Sequence, residues 1–230
     1  MSTKKEQAIT EVMNSFREMA NLTLGQLSML EKLTAITDRN DFDATVASMK
    51  ETEKRIDNLE VIISELFTNT IVLYQPLASD IRRIVACYRM TLNLERIGDR
   101  IMNMIRIIEK IRNTAEYNQI SILVNNMLTA GILMVEKALL SFANSDPDFA
   151  IWTIKNDSVI DEMNHKLLTS HINKSDLEEN MKNTVLTFIE IRDMISNIER
   201  IADHATNIAE ASIYSLQGTD IRHTGIGKEE

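Results

Sequence analysis

Glu95 and Asp99 stand four residues apart in the stretch "NLERIGDRIMNMI" (Asn93–Ile105), and Glu199 and Asp203 repeat that spacing in "NIERIADHATNIA" (Asn197–Ala209), 104 residues later. The two stretches share Glu-Arg-Ile-x-Asp-x-x-x-Asn, so Asn103 and Asn207 extend each acidic pair by one further turn. Two more pairs, Glu53/Asp57 and Asp157/Asp161, are offset by the same 104 residues. On a helix, residues i and i+4 share a face. Like charges there cost about 0.2–0.5 kcal/mol, whereas a Lys or Arg at the second position would stabilise. Two such pairs facing each other form an all-oxygen donor set for a hard cation such as magnesium, manganese or iron, with calcium also compatible. The neutral amide oxygens of Asn103 and Asn207 are further candidate ligands.

A solvated helix face accounts for most isolated acidic pairs, and duplication copies structural features as readily as functional ones, so spacing alone leaves both readings open. A heptad frame puts Leu94, Ile97, Ile101, Met104 and Ile108 in one core, with Ile198, Ile201, Ala205 and Ile208 in the other. The acids and both asparagines then point away from the core as a surface ridge. That geometry excludes a ferritin-type di-metal centre, which needs inward carboxylates and two Glu-x-x-His pairs; the chain has one, Glu162 to His165. Arg96 and Arg200 are expected to pair with Asp99 and Asp203 at i+3, with contact to an anion as the other reading. Asp80, Arg82 and Arg83 are candidates for holding a partner's acidic surface or a phosphate, or for closing a salt-bridged helix start. His204 directly follows a candidate ligand, but a lone surface histidine carries no assignment. No Gly-rich phosphate loop, Gly-x-Ser-x-Gly, His-Glu-x-x-His or Cys/His nucleophile pair occurs, and the chain reads as non-enzymatic.

Long helices must position these residues. Only two Pro and six Gly occur in 230 residues, and aromatics are 5%, too little turn and strand material for a sandwich or barrel. Thr3-x-x-Glu6 is a capping box ahead of Ile9, Val12, Phe16, Thr23, Leu27 and Leu30 at helical spacing. A break falls in "TDRNDFD", and a second helix carries Met49, Ile56, Leu59, Ile63, Leu66 and Leu73 on one stripe. Pro76 suits the first turn of a third helix running to about Arg112. A fourth helix runs to about Asn144, and Asp146 with Pro147 opens a fifth, where Trp152 is expected to anchor the core. Ser175-x-x-Glu178 reads as a capping box for a sixth helix, ending near Gly218. "LTLG" (Leu22–Gly25) recurs as "LTAG" (Leu128–Gly131), so three helices repeat as a unit. The expectation is an all-α chain of two tandem antiparallel three-helix bundles, residues 1–113 and 114–218, with a flexible tail over 219–230.

The net charge of −9 argues against sequence-independent binding of nucleic acid. One cysteine, Cys87, excludes an internal disulfide or thiolate metal site. The amino terminus lacks an apolar leader pattern and no run of 18 apolar residues occurs, so a soluble cytoplasmic protein is expected, without direct membrane insertion.

"LERIGDRIMNMI" and "IERIADHATNIAEASIYSLQGTDIRH" resemble the two signature segments of the PhoU family, phosphate-transport accessory and regulatory proteins. "YQPLASDIRRI" (Tyr74–Ile84) resembles that family's Pro-x-Ala-x-Asp-Leu-Arg segment through Pro76, Ala78, Asp80 and Arg82, and the second repeat lacks it. The resemblance spans essentially the whole chain. It implies metal clusters on the bundle surface, held here by Glu53, Asp57, Glu95, Asp99, Asp157, Asp161, Glu199 and Asp203, with Asn103 and Asn207 as extensions and magnesium, manganese, iron or zinc as the ion. In the second copy Ala202 replaces Gly98. The resemblance further implies a cytoplasmic regulator of phosphate uptake and of the phosphate-starvation response. Its partners would be the ATPase subunit of the phosphate ABC transporter and a phosphate-sensing histidine kinase, with a homodimer as its assembly. The alternatives are a metal-dependent phosphohydrolase and an accessory protein of a different phosphate permease.

Overall fold

The structure is a computed structural model that describes residues 3–172 and 181–222. Within them lie six α-helices and no strand: α1 Lys4–Leu33, α2 Arg39–Tyr74, α3 Ser79–Ile111, α4 Ala115–Asn144, α5 Pro147–Ile172 and α6 Met181–Gln217. Local chemistry sets most of their ends. Thr3 Oγ1 accepts from the Glu6 amide while the Glu6 carboxylate returns to the Thr3 amide, completing the capping box. Asp38 caps α2, Thr114 caps α4, and Asp146 accepts from the Asp148 amide at the start of α5. Gly218, at φ 75°, ends α6 in the left-handed region open to glycine.

Three expectations need correction. Pro76 does not enter α3; it is buried in the turn before it, between Gln75 and Ala78, both at positive φ, and the helix begins at Ser79. Leu73 is 67% exposed although it continues the apolar stripe of α2, whose buried side ends at Thr70. Trp152 is 37% exposed; the inward positions of α5 are taken by the smaller Ala150, Thr153 and Ile154. The capping box at Ser175 and Glu178 and the tail from residue 223 lie outside the described residues.

Helices α1, α2 and α3 pack mutually, as do α4, α5 and α6, and the two bundles join through α3 on α6 and α1 on α4. Both joining pairs are antiparallel. Arg89 near the start of α3 lies over Tyr214 near the end of α6, whereas Lys110 at the end of α3 bonds Glu190 early in α6. Phe16 of α1 packs edge-on against Phe142 of α4, and Glu31 accepts from Thr129. Each interface thus pairs a helix with its own repeat mate, as a pseudo-twofold arrangement requires. The heptad residues Leu94, Ile97, Ile101, Met104 and Ile108, and Ile198, Ile201, Ala205 and Ile208, are all buried, each contributing roughly 1–3 kcal/mol of apolar transfer according to size. Ser141 and Ser212 share a buried hydrogen bond of 2.7 Å between α4 and α6. Helix α4 is long and apolar enough to cross a membrane by composition alone; here Leu128, Gly131 and Val135 are buried, Gly131 against Ile198 and Ile201 of α6.

Candidate metal centres

Helix α2 presents Glu53 and Asp57, and α3 presents Glu95 and Asp99, with one turn between the acids of each pair. A glycine decides how closely they meet. A Cβ at Gly98 would fall 2.8 Å from both carboxylate oxygens of Glu53, so the Glu53 head group lies on the bare backbone of α3, between the positions of Glu95 and Asp99. Burial pushes the Glu53 carboxyl up to about 7; the charges of Asp57, Asp99 and Glu95 add to the rise, and a hydrogen bond from Gln26 opposes it. Gln26 is fully buried and also donates to the Met49 carbonyl at 3.0 Å. Glu53 Oε2 is buried without a hydrogen-bond partner. Asp57 is raised by burial and by Asp99. Glu95 is raised by burial against the pull of Arg96, with Asp99, Glu60 and Asp57 adding.

The second repeat builds the same arrangement from α5 and α6. Burial raises Asp157, Asp161 and Glu199 add to it, and Thr206 opposes by donating to Asp157 Oδ1 at 3.3 Å. Burial pushes Asp203 to about 6, with Asp157, Glu199 and Asp161 adding and Arg200 opposing. Asn164 donates to Glu199 Oε2 at 3.0 Å. The acids predicted from spacing therefore do meet as two separate quartets that feel one another's charge. In these side-chain positions, no three carboxylate or imidazole groups among the described residues close around a single point. The backbones bring the pairs together, and closing on an ion requires rotation of partly exposed side chains. The donor set suits a hard cation: it is all oxygen and includes one buried oxygen without a partner, Glu53 Oε2.

Other sequence expectations fare unevenly. Asn103 Oδ1 accepts from Arg106 at 3.0 Å, so its amide oxygen is already engaged, whereas Asn207 is exposed beside Asp203. Arg96 contacts Asp99 at 3.6 Å, as its i+3 spacing predicts, and also Glu95 at 3.4 Å. Arg200 makes no such contact with Asp203; it opposes that acid's rise only from a distance. Asp80, Arg82 and Arg83 do not converge on a common surface. Asp80 pairs with Lys5 of α1 at 3.1 Å, Arg82 lies against Gly218 beyond α6, and Arg83 stands over the Phe142 ring of α4. Their spacing on one helical turn distributes them among three neighbours.

Sequence reasoning missed Glu60, which adds a carboxylate to the first quartet, and its repeat mate Asn164, which adds a donor to the second. Both lie one turn beyond the acid pair and were legible by extending the periodicity. Gln26 had no such signal, because its repeat counterpart is Ile132. His204 is also part of the architecture. Its Nδ1 lies 3.0 Å from Asn93 Oδ1, and Asn93 Nδ2 donates to the Arg89 carbonyl at 2.8 Å, which assigns the Asn93 oxygen as acceptor and the His204 Nδ1 as donor. Burial, reinforced by Arg100, Arg96 and Arg200, lowers its pKa to about 4.

A groove of about 800 Å³ between α3 and α6 is lined by Arg96, Arg100, Arg200 and His204 and reaches Asp157 and Asp203 of the second quartet. A separate apolar cleft of about 320 Å³ between α1 and α4, lined by Phe16, Leu139 and Phe142, holds none of the paired acids.

Comparison with known proteins agrees with this duplicated architecture. A family profile described as the PhoU domain matches residues 16–108 and again residues 124–212. A Burkholderia protein named phosphate-specific transport system accessory protein PhoU homolog is 30% identical over 88% of this chain and 86% of its own length. The Escherichia coli K12 phosphate-specific transport system accessory protein PhoU is 26% identical over 89% of this chain and 83% of its own. The crystal structure of PhoU from Pseudomonas aeruginosa superimposes with a TM-score of 0.73 at 24% identity, covering 93% of this chain and 99% of that one. That of the phosphate transport system regulatory protein PhoU from Streptococcus pneumoniae gives 0.78 at 19% identity, covering 94% and 99%. With two domain matches that together span most of its length, the chain belongs to the PhoU family.

Proposed function

We propose that this protein is a cytoplasmic accessory and regulatory subunit of phosphate uptake that holds the phosphate-starvation response off when phosphate is plentiful. The observation that carries the reading is the paired domain match, together with relatives named as accessory proteins of the phosphate-specific transport system along most of their length. Its partners in this reading are the ATPase subunit of the phosphate ABC transporter and a phosphate-sensing histidine kinase, and it acts as a homodimer. The role in this reading is one of binding rather than catalysis: the quartets sit on helix surfaces, the second at the edge of an open groove, an arrangement that excludes water poorly.

Two metal centres support that role. Glu53, Asp57, Glu95 and Asp99 hold one, and Asp157, Asp161, Glu199 and Asp203 the other, taking magnesium, manganese, iron or zinc. A bound cation would offset the burial and like-charge repulsion that raise Glu53, Asp57, Glu95, Asp157 and Asp203, and would stiffen the α2/α3 and α5/α6 faces as docking surfaces.

The deciding experiment is a phosphate-starvation reporter in phosphate-rich medium in a strain lacking this gene. Constitutive expression is expected; a silent reporter would remove repression as the role. The metal reading is tested separately with Glu95→Gln, Asp99→Asn, Glu199→Gln and Asp203→Asn combined, where unchanged metal content in the purified protein refutes it.

A further inference from the structure

The α3/α6 groove collects cations in a chain whose net charge is −9. Arg96 and Arg100 come from the first repeat and Arg200 from the second, and only the antiparallel crossing of α3 on α6 brings them to one groove. Arg96 is held by Glu95 and Asp99, but among the described residues no carboxylate lies within ion-pair distance of Arg100 or Arg200. Arg100 Nε is buried with no hydrogen-bond partner. A guanidinium offers five donors in a planar fork matched to oxyanions, so two of them without carboxylates leave a strong unmet demand for acceptors.

From this we propose that the groove binds inorganic phosphate, with Arg100 and Arg200 as its principal ligands and Arg96 at its edge. The assignment rests on the reading above that the protein serves phosphate uptake; the groove alone specifies a tetrahedral oxyanion. His204 narrows the choice. Its Nδ1–H is committed to Asn93, so the neutral ring keeps Nε2 as an acceptor in a residue that lines the groove. An acceptor suits hydrogen phosphate, which carries a P–OH, and offers nothing to sulfate, which carries no proton at neutral pH. Asp157 and Asp203 on the groove wall repel an anion while charged, so a cation on the second quartet strengthens phosphate binding, and phosphate strengthens the cation by the same factor.

The test is calorimetric titration of inorganic phosphate into the full-length, metal-loaded protein at pH 7.5, beside Arg100→Gln and Arg200→Gln with metal content measured in each. Each variant is expected to weaken phosphate by about tenfold or more, since a charge-assisted hydrogen bond is lost, with metal content unchanged. Arg200 is exposed, so its variant keeps the test valid even if Arg100→Gln perturbs folding. Wild-type protein that takes no phosphate, or variants that bind it as tightly as wild type, would overturn the proposal. So would sulfate competing as well as phosphate. None of these results touches the reporter experiment, so the groove can fail while the regulatory reading stands.

Discussion

Replacing Glu53 by Gln should stabilise the metal-free protein, and only at high pH. The carboxyl is pushed to about 7 in the folded state, against about 4.3 for an isolated glutamate. Between those values the folded chain holds a proton that the unfolded chain has released, so stability falls as pH rises through this window. Above it the side chain is charged in both states and the penalty is complete. At about 1.4 kcal/mol per pH unit the full displacement is worth nearly 4 kcal/mol; water reaching the half-buried head group reduces this to about 2 kcal/mol. Gln keeps the shape that fits over Gly98 but has no charge to bury. Urea denaturation of chelator-treated protein should therefore show Glu53→Gln more stable than wild type by about 2 kcal/mol at pH 8, and within a few tenths of a kcal/mol at pH 4.5. Added metal should raise the wild-type midpoint at pH 8 by more than the variant's, which keeps only the α5/α6 centre, so the gap between them narrows or reverses. A gain of equal size at both pH values would show that the carboxylate's charge is not what destabilises the site, and would refute the reasoning.

Gly98→Ala should leave the fold intact or stabilise it by up to about 1 kcal/mol through helix propensity, while displacing the Glu53 head group and weakening metal at the first quartet by about tenfold; calorimetry with manganese reads both Gly98→Ala and the Gly98→Ala/Glu53→Asp double variant, which copies the Ala202/Asp157 pairing of the second repeat and should recover most of the loss. Cys87 is fully buried and its thiol is pushed up to about 12 by burial, against the pull of Arg83, so a thiol reagent at pH 8 should react with the native protein only as fast as it opens and at once in urea. Ser212→Ala, which leaves the buried Ser141 hydroxyl without its partner, should cost about 1–2 kcal/mol in thermal or urea unfolding; a cost near zero would mean that the hydroxyl finds another acceptor.

The sequence carried the periodic features and lost those that depend on contacts between repeats. Helix caps at Thr3 and Asp146 and the apolar heptads follow from residue chemistry within a few positions, and α1, α2, α4 and α5 start where those signals place them. The acidic quartets were equally legible, because the i,i+4 spacing and the 104-residue offset fix which helix faces carry them. What stayed hidden was set by neighbours with no fixed sequence distance. Arg82, Arg83 and Asp80 read as one patch along the chain, yet α1, α4 and the end of α6 each take one of them. Gln26 approaches Glu53 only because α1 packs on α2, and His204 meets Asn93 only because α3 crosses α6 antiparallel. The solvated ridge inferred from the heptad was too simple for the same reason: Glu53 faces outward from the core of α2, but the bare backbone at Gly98 draws it across α3 and partly out of water.

Duplication made two similar centres, and the substitutions between them make the centres chemically unequal. At the first, Glu53 reaches over Gly98, Glu60 adds a fifth carboxylate and Met102 offers no hydrogen bond. At the second, the shorter Asp157 and Ala202 take the positions equivalent to Glu53 and Gly98, and Asn164 and Thr206 donate to Glu199 and Asp157. Those two donors partly satisfy the second quartet without any cation, and a metal entering there must displace them. The first quartet has more charge and one buried oxygen with no partner, so a hard cation gains more there and gives up less. A limiting metal should therefore fill the α2/α3 centre first, releasing protons as it does so near neutral pH, and leave the α5/α6 centre, the one that opens onto the arginine groove, to answer to whatever else binds beside it.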